Sequence, residues 1–386
     1  MRIVSVIFMY HPFYGGAEVQ AHLLARTLQS QGHEVTVLTM HFGETAASET
    51  LDGIPIVRVP RQVVQRGNFA GIVRAMLAAF LELRRLGPVD VVHMHGAPFL
   101  LIPILAYKKL YGTPVVLKMI SGGVTARSTI LMTSRLSWFN RFKRRLLKNV
   151  DVFVCLNDEL ADEVKGLVPN ARCLRIPNGV DSSYWSCPES ARTYKASIGV
   201  GEYKTAIYVG RLVPEKGVDM LLKVWKAVVE CFPKAKLFIV GDGPLASEMR
   251  DVAAQTGIAG SITFAGARKD FREILFAMDA FLLFSPNEGM SNAMLEAMAA
   301  GVPIICNDSP GTSGVIQHMV NGIRITPGQV SEAAASICRI FEDPNLATGL
   351  AERARANVRS TFDISVTARQ YEQLFHQLIR GVATLS

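Results

Sequence analysis

The stretch "AFLLFSPNEGMSNAMLEAMAAGVPIICND", residues 280–308, decides how this chain folds. It opens on a short apolar run suited to a buried strand and closes on another, "PIICND". Between them lies a loop and then a helical segment that Ser291 or Asn292 can cap, that Gly301 ends, and that Pro303 keeps from continuing. Strand, helix and strand in so short a span is the building unit of a parallel sheet wrapped by helices. The helix start offers free amides and the positive end of its dipole. Glu288 sits on the loop and Glu296 about one turn into the helix, with no basic residue beside either in sequence. Their partners are therefore expected to be neutral donors. Sugar hydroxyls fit, because a carboxylate can accept two hydrogen bonds from a vicinal diol. The plainer alternative is a solvated helix residue and a turn residue.

The same alternation runs outward in both directions. The first half carries "RIVSVIF", "EVTVLTM", "IPIVRVP", "VDVVHMH", "PVVLKMI" and "VDVFVCL", with helical segments such as "AEVQAHLLARTLQSQG" and "FAGIVRAMLAAFLELRRLG" between most of them. The second half carries "TAIYVG", "KLFIVG", "SITFAG", "AFLLFSP", "PIICND" and "GIRIT". At 386 residues the chain exceeds what one core usually organises. The expected fold class is α/β, with two Rossmann-like doubly wound domains facing across a cleft. The first domain is expected to span residues 1–175 and the second 186–362. The turn-rich stretch 172–190 links them, and the terminal segment 363–386 is expected to pack back on the first domain as a helix. In such sheets ligands gather outside the carboxyl ends of the strands, so the loops after strands are where chemistry is sought.

Composition narrows the class. Apolar residues make up 49% and charged residues 19%, which suits a packed globular enzyme and excludes a disordered chain. The six cysteines are scattered, with no C-x-x-C pair, and read as thiols in a reducing compartment. "MRIVSVIFMY" leads into "HPFYGGAE" and not into a small-residue cleavage site, and the longest apolar stretch, "APFLLIPILAY", is too short to span a bilayer. A cytoplasmic, non-spanning protein is expected, peripheral at the inner face of a membrane. The net charge of +8 is concentrated: between Asp90 and Asp151 there are ten basic residues and no acidic one. Within that region "LSWFNRFKRRLLKN" interleaves aromatics, leucines and cations at helical spacing, as an interfacial helix does. Contact with an anionic membrane through residues 127–148 is one expectation and an ordinary solvated basic face the other. No nucleic-acid motif accompanies the charge, so nucleic acid is not expected as a partner.

Three loops after strands look able to hold a phosphate. "YHPFYGGAE" places Gly15 and Gly16 directly before a helix, where backbone amides can approach an anion or simply make a tight turn. "YVGRLVPEKGVDMLL" brings Arg211 and Lys216 into one loop; either they grip a diphosphate, or one of them pairs with Glu215 or Asp219. The loop around Glu288 is the third. A nicotinamide dehydrogenase is poorly supported, since "VGDGPLAS" lacks the third glycine and the distant acid of that fingerprint. There is no Walker loop and no D-x-D, so no cofactor and no metal are expected; cations and helix amides would stabilise a leaving diphosphate.

Taken together these elements resemble the retaining glycosyltransferases of the GT-B fold, specifically glycosyltransferase family 4. The E-x7-E pair Glu288 and Glu296 with "EAMAAGVPII" carries the likeness most strongly, joined in order by "GGAE", "IPNGVDSSYW", "YVGRLVPEKGVDMLL" and "IVGDGPL". The resemblance implies a metal-independent hexosyltransferase that moves sugar from a nucleoside-diphosphate donor to a glycan or lipid-linked acceptor in polysaccharide or glycoconjugate synthesis. It implies that Arg211 and Lys216 contact the donor diphosphate, that Gly15 and Gly16 approach it from the first domain, and that Glu296 binds the ribose diol. Glu288 is implied beside the donor sugar, with Gly289, Met290, Ser291 and Asn292 positioning sugar and phosphate; Glu288, Arg211 and Lys216 form the implied catalytic set. Many relatives carry a histidine after "PVVLKM", where this chain has Ile120 and Ser121. Ser121 and His95, the latter on the preceding strand with His93, are the candidates on the acceptor side, although both histidines also read as structural. An epimerase or hydrolase of nucleotide sugars, or a non-catalytic sugar-nucleotide sensor, are the competing readings.

Overall fold

A computed structural model describes residues 1–13, 15–60, 69–96, 100–120, 137–187, 191–268, 270–286 and 288–381. The chain divides into two compact units, Met1–Gly179 with Ile364–Ser386, and Val180–Asp363. Each is built on its own sheet.

The first sheet has eight strands: β1 (Arg2–Ile7), β2 (Glu34–Met40), β3 (Ser48–Leu51), β4 (Ile54–Val59), β5 (Val91–His95), β6 (Val115–Lys118), β7 (Val152–Cys155) and β8 (Cys173–Arg175). They lie in the order β3-β4-β2-β1-β5-β6-β7-β8, all parallel except β3, which pairs antiparallel with β4. Ile3, Val4, Val6 and Ile7 of β1 are all buried, the pattern of a central parallel strand covered on both faces. The helices are α1 (Gly16–Ser30), α2 (Phe69–Arg85), α3 (Leu101–Tyr111), α4 (Ser137–Leu147) and α5 (Asp158–Leu167). The chain's last helix, Ile364–Ile379, belongs to this unit and packs against α1. Its Tyr371, Leu374 and Phe375 share a core with Leu24 and Leu28 of α1 and with β-branched residues of the sheet.

Two details differ from the sequence reading. The hairpin β3–β4 is unannounced by hydrophobic alternation, yet it turns on Asp52-Gly53 with φ of 52° and 80°, the left-handed pair that a tight hairpin turn demands. The stretch 172–190, read as linker, begins inside the first unit: Cys173–Arg175 adds edge strand β8 to β7, and the division falls after Gly179. Three residues are too few to show a period, which is why β8 is hidden in the sequence.

The second unit holds six parallel strands, β9 (Lys204–Val209), β10 (Ala235–Val240), β11 (Ile262–Gly266), β12 (Ala280–Leu283), β13 (Ile304–Asn307) and β14 (Ile323–Ile325), in the order β11-β10-β9-β12-β13-β14. Its helices are α6 (Ala191–Ser197), α7 (Val218–Cys231), α8 (Ala246–Gln255), α9 (Arg272–Phe276), α10 (Asn292–Ala300), α11 (Pro310–Ser313), α12 (Val330–Glu342) and α13 (Pro344–Asn357), so the terminal helix of the first unit is α14. Trp225 of α7 is fully buried in the core, and its indole N–H donates to the Ser261 hydroxyl at 3.0 Å. The strand order reverses direction between β9 and β12, where two neighbouring strands send their helices to opposite faces and their loops part. Both units are Rossmann-like.

Candidate active site

The second unit's loops after β9, β12 and β13 converge at the carboxyl ends of their strands. Two glycines make that possible. A side chain on Gly217, whose φ is 65°, would collide with the carbonyl oxygen of Phe284 at the end of β12. One on Gly311, at the start of α11, would collide with the carbonyl oxygen of Glu288. Bare backbone at these points lets the loops stack directly on one another. Asn307, ending β13, ties them further by donating to the Phe284 carbonyl at 2.7 Å.

This stacking delivers Lys216 to Glu288. The ammonium sits at the end of a single 3₁₀ turn, Pro214–Lys216, and donates to both carboxylate oxygens, at 2.8 and 2.6 Å. The side chains are 22% and 11% exposed, so the pair is sheltered without being sealed. Expecting a neutral partner for Glu288 was therefore wrong. Its cation comes from 72 residues upstream, a contact made by the fold and invisible to a search of sequence neighbours. The alternative pairing of Lys216 with Glu215 or Asp219 does not form either: Asp219 lies by Lys223, at 3.7 Å.

Arg211 stands on the same loop, exposed, and forms no ion pair among the described residues. The Tyr208 hydroxyl donates to its carbonyl at 3.1 Å. Burial pushes that phenol well above its ordinary range, the Glu288 charge adds to the effect and the Arg211 charge opposes it. Tyr208 thus senses both an acid and a cation of the candidate site.

Helix α10 starts as the sequence implied: the Ser291 hydroxyl accepts from the Met294 amide at 3.3 Å, and Gly301 closes the helix with φ of 77°. Met290 and Ser291 are buried, Gly289 and Asn292 half-buried. Glu296 lies one turn along, half-buried between Leu295 and Ala297, and among the described residues its carboxylate has no hydrogen-bond or ion-pair partner. Burial alone pushes it up to about 7. A carboxylate held this way takes up donors readily, because it has no internal ones to give up.

In the first unit Gly15 is the N-cap of α1, and the Glu18 side chain folds back over it, accepting from the backbone N–H of Gly15 and from its own. Burial raises the Glu18 carboxyl despite those bonds. The sequence did carry this signal, since a glutamate three residues after an N-cap is half of a capping box. Gly16 is the first helical residue. His95 closes β5 fully enclosed, 2% exposed, beside His93, with ring centroids 4.3 Å apart. Among the described residues neither nitrogen of His95 has a partner, and burial, followed by the charges of His93 and Lys118, holds its imidazole well below the ordinary range. Lys118 of β6 is also buried, with its ammonium on the Asn178 side-chain oxygen at 2.8 Å. Ile120 is half-buried, and Ser121 lies outside the described residues.

Comparison with known proteins places both halves of the chain in one family. Residues 191–357 match the family model described as glycosyl transferases group 1, and residues 14–184 match the model of glycosyltransferase family 4. Glycogen synthase from Mycobacterium tuberculosis is 27% identical over 99% of this chain and 96% of its own length. Among solved structures, sucrose-phosphate synthase from Thermosynechococcus elongatus superposes with a TM-score of 0.81 at 19% identity, covering 99% of this chain and all of the other. HepE from Anabaena, in complex with UDP-glucose, superposes with a TM-score of 0.78 at 18% identity over 98% of this chain and 100% of its own. Two family models in tandem, each matching one half, and the stacked loops at the ends of β9, β12 and β13 lead to one assignment: the chain is a GT-B glycosyltransferase and belongs to glycosyltransferase family 4.

Proposed function

We propose that the enzyme moves a hexosyl group from a nucleoside-diphosphate sugar, with retention of anomeric configuration and without a metal, onto a glycan or lipid-linked acceptor in polysaccharide or glycoconjugate synthesis. The observation that carries this reading is that Lys216, Glu288 and Arg211 stand on loops stacked at the carboxyl ends of β9 and β12, with Glu296, unpartnered among the described residues, one turn into the helix that follows. HepE, solved with UDP-glucose, supports the donor class.

In the reaction Arg211 grips the diphosphate with its planar fork and Lys216 meets it as a point charge. Glu288 fixes where the Lys216 ammonium stands and accepts from hydroxyls of the transferred sugar. Gly289, Met290, Ser291 and Asn292 position that sugar at the start of α10. Glu296, ionised on binding, accepts the two ribose hydroxyls. As the glycosidic bond to phosphate breaks, negative charge grows on the diphosphate between two preorganised cations, and their stabilisation of it carries much of the rate. The departing phosphate oxygen takes the acceptor proton, so no separate base is required. With ammonium and guanidinium supplying the positive charge, and no D-x-D in the chain, a divalent ion has no assigned task.

The acceptor is read as lipid-linked because the basic region lies in the first unit, which does not carry the donor loops. Exposed Arg141, Arg144, Arg145 and Lys148 on and after α4 would sit on anionic headgroups; residues 121–136, which include the rest of that region, lie outside the described residues. The test is nucleotide-sugar turnover with mixed acceptors. Transfer supports the proposal. Product formed without acceptor would convert it to an epimerase or hydrolase, and tight nucleotide binding with no turnover to a sensor.

A further inference from the structure

Helix α2 turns Ala75, Ala79 and Leu83 into the protein, all fully buried. The outward stripe of a surface helix is normally polar. Here it carries Val73, Leu77 and Leu81, exposed by 48%, 59% and 44%. Helix α3 packs against α2 and exposes Leu110 and Tyr111 in its last turn, by 63% and 49%, and Ile102 in its first, by 39%. The i, i+4, i+8 row on α2, with the adjacent pair Leu110 and Tyr111 ending the helix packed beside it, exceeds the singly scattered apolar exposure of an ordinary surface.

The charges around them say with what. Helix α4 packs against α3 and presents Phe142 among exposed Arg141, Arg144 and Arg145, while α3 itself adds exposed Lys109. Neither α3 nor α4 contains an acid, and α2 has one, Glu82, held by Arg85 at 2.7 Å. Pairing the same face of a second copy would bring these rows of cations together with nothing to neutralise them. An anionic bilayer offers both an apolar interior and the missing negative charge.

We propose that α2 and α3 form an apolar ledge that inserts into the interfacial layer of an anionic lipid bilayer, with the cations of α3 and α4 seated on its headgroups. The inference deepens the membrane contact in the proposed function and rests on that reading, but it changes the character of the contact. Attachment driven by charge alone is lost in salt, whereas an inserted ledge holds.

The full chain is sedimented with vesicles of phosphatidylcholine alone and of phosphatidylcholine with phosphatidylglycerol, at low salt and in about 1 M salt, where charges are screened beyond ~3 Å. Binding to the anionic vesicles is expected to fall in salt without vanishing. Leu77→Glu with Leu110→Glu should lower partition on the order of ten-fold or more at both salts. Arg144→Glu with Arg145→Glu should lower it at low salt only. Should the double leucine variant fail to fold, Leu77→Trp decides the matter: bromine-labelled acyl chains should quench its fluorescence beyond the wild-type level. Unchanged binding of the double leucine variant, or no added quenching, overturns the ledge. So does a dimer that Leu77→Glu dissociates while vesicles bind nothing. Transfer to a water-soluble acceptor, assayed alongside, keeps this outcome separate from failure of the catalytic reading.

Discussion

Each unit gathers ionisable groups at the carboxyl ends of its central strands, and the two gatherings could hardly be treated more differently. At β5 and β6 of the first unit, His93, His95 and Lys118 are all enclosed, at 1%, 2% and 2% exposure. Tyr371 of α14 covers them, its ring 4.7 Å from His93 and 5.9 Å from the Lys118 ammonium. At β9 and β12 of the second unit, Lys216 and Glu288 pair in a sheltered but open position, Arg211 reaches solvent and Glu296 waits half-buried. A position at a strand's carboxyl end is thus a poor guide by itself. What separates core from site is whether a helix or a stack of glycine-supported loops lies above it.

The contrast can be broken most forcefully at the cations. Arg211→Ala and Lys216→Ala are each expected to cut transfer by roughly 10²–10³-fold, the usual cost of losing one preorganised stabiliser of transition-state charge. Thermal melting should hardly move for Arg211→Ala, whose side chain is exposed, and should fall for Lys216→Ala, which leaves the sheltered Glu288 carboxylate unpaired. A comparable loss from His95→Ala in a chain that still folds would place chemistry in the first unit's cluster instead.

Next comes Glu296. Its folded value, about 7, lies above its ordinary 4.5, so the buried charge costs stability at high pH. The cost is absent below pH 4.5, grows as pH rises through 7 and is constant above. Glu296→Gln should therefore stabilise the free enzyme at pH 8 by on the order of 1–3 kcal/mol and leave it unchanged at pH 4. The same variant should weaken donor binding by about one charge-assisted hydrogen-bond pair, a few kcal/mol at most. Wild-type donor affinity should rise between pH 6 and 8 with release of a proton, seen by calorimetry in buffers of different ionisation enthalpy, and the variant should lose that dependence.

A titration sharpens the other side. Burial lowers Lys118 from 10.5 to about 7, so the unfolded chain binds the extra proton between those values and stability should climb with pH across that window. The groups facing it are His93, His95, Tyr371 and Asn178. Lys118→Met should flatten the climb, which can reach ~1.4 kcal/mol per pH unit for one proton. Below pH 6.5 His93, lowered to about 3, acts in the same sense, its stability contribution disappearing as acid protonates the unfolded chain.

How much of this was legible in the sequence follows from the range of the interactions. Strand and helix alternation is local, and the cap residues Ser291 and Gly301 are local, so the fold class and the start of α10 could be read directly. The clustering of Arg211 and Lys216 was legible because they share one loop. The Lys216–Glu288 pair was not, because it depends on Gly217 meeting Phe284 across the sheet. The enclosure of His95 was equally hidden, since the covering Tyr371 lies far along the chain on α14. Glu18 was readable in "GGAE" as a helix-start glutamate three residues after the N-cap Gly15.

The most direct measurement is a titration of a nucleoside-diphosphate panel into the wild type and into Lys216→Ala, followed by calorimetry. One member of the panel should bind the wild type, and the variant should bind it at least ten-fold more weakly, as removal of a charged hydrogen bond predicts. Equal affinity for both proteins would show that the diphosphate does not rest on the β9 loop, and would contradict the assignment of this site.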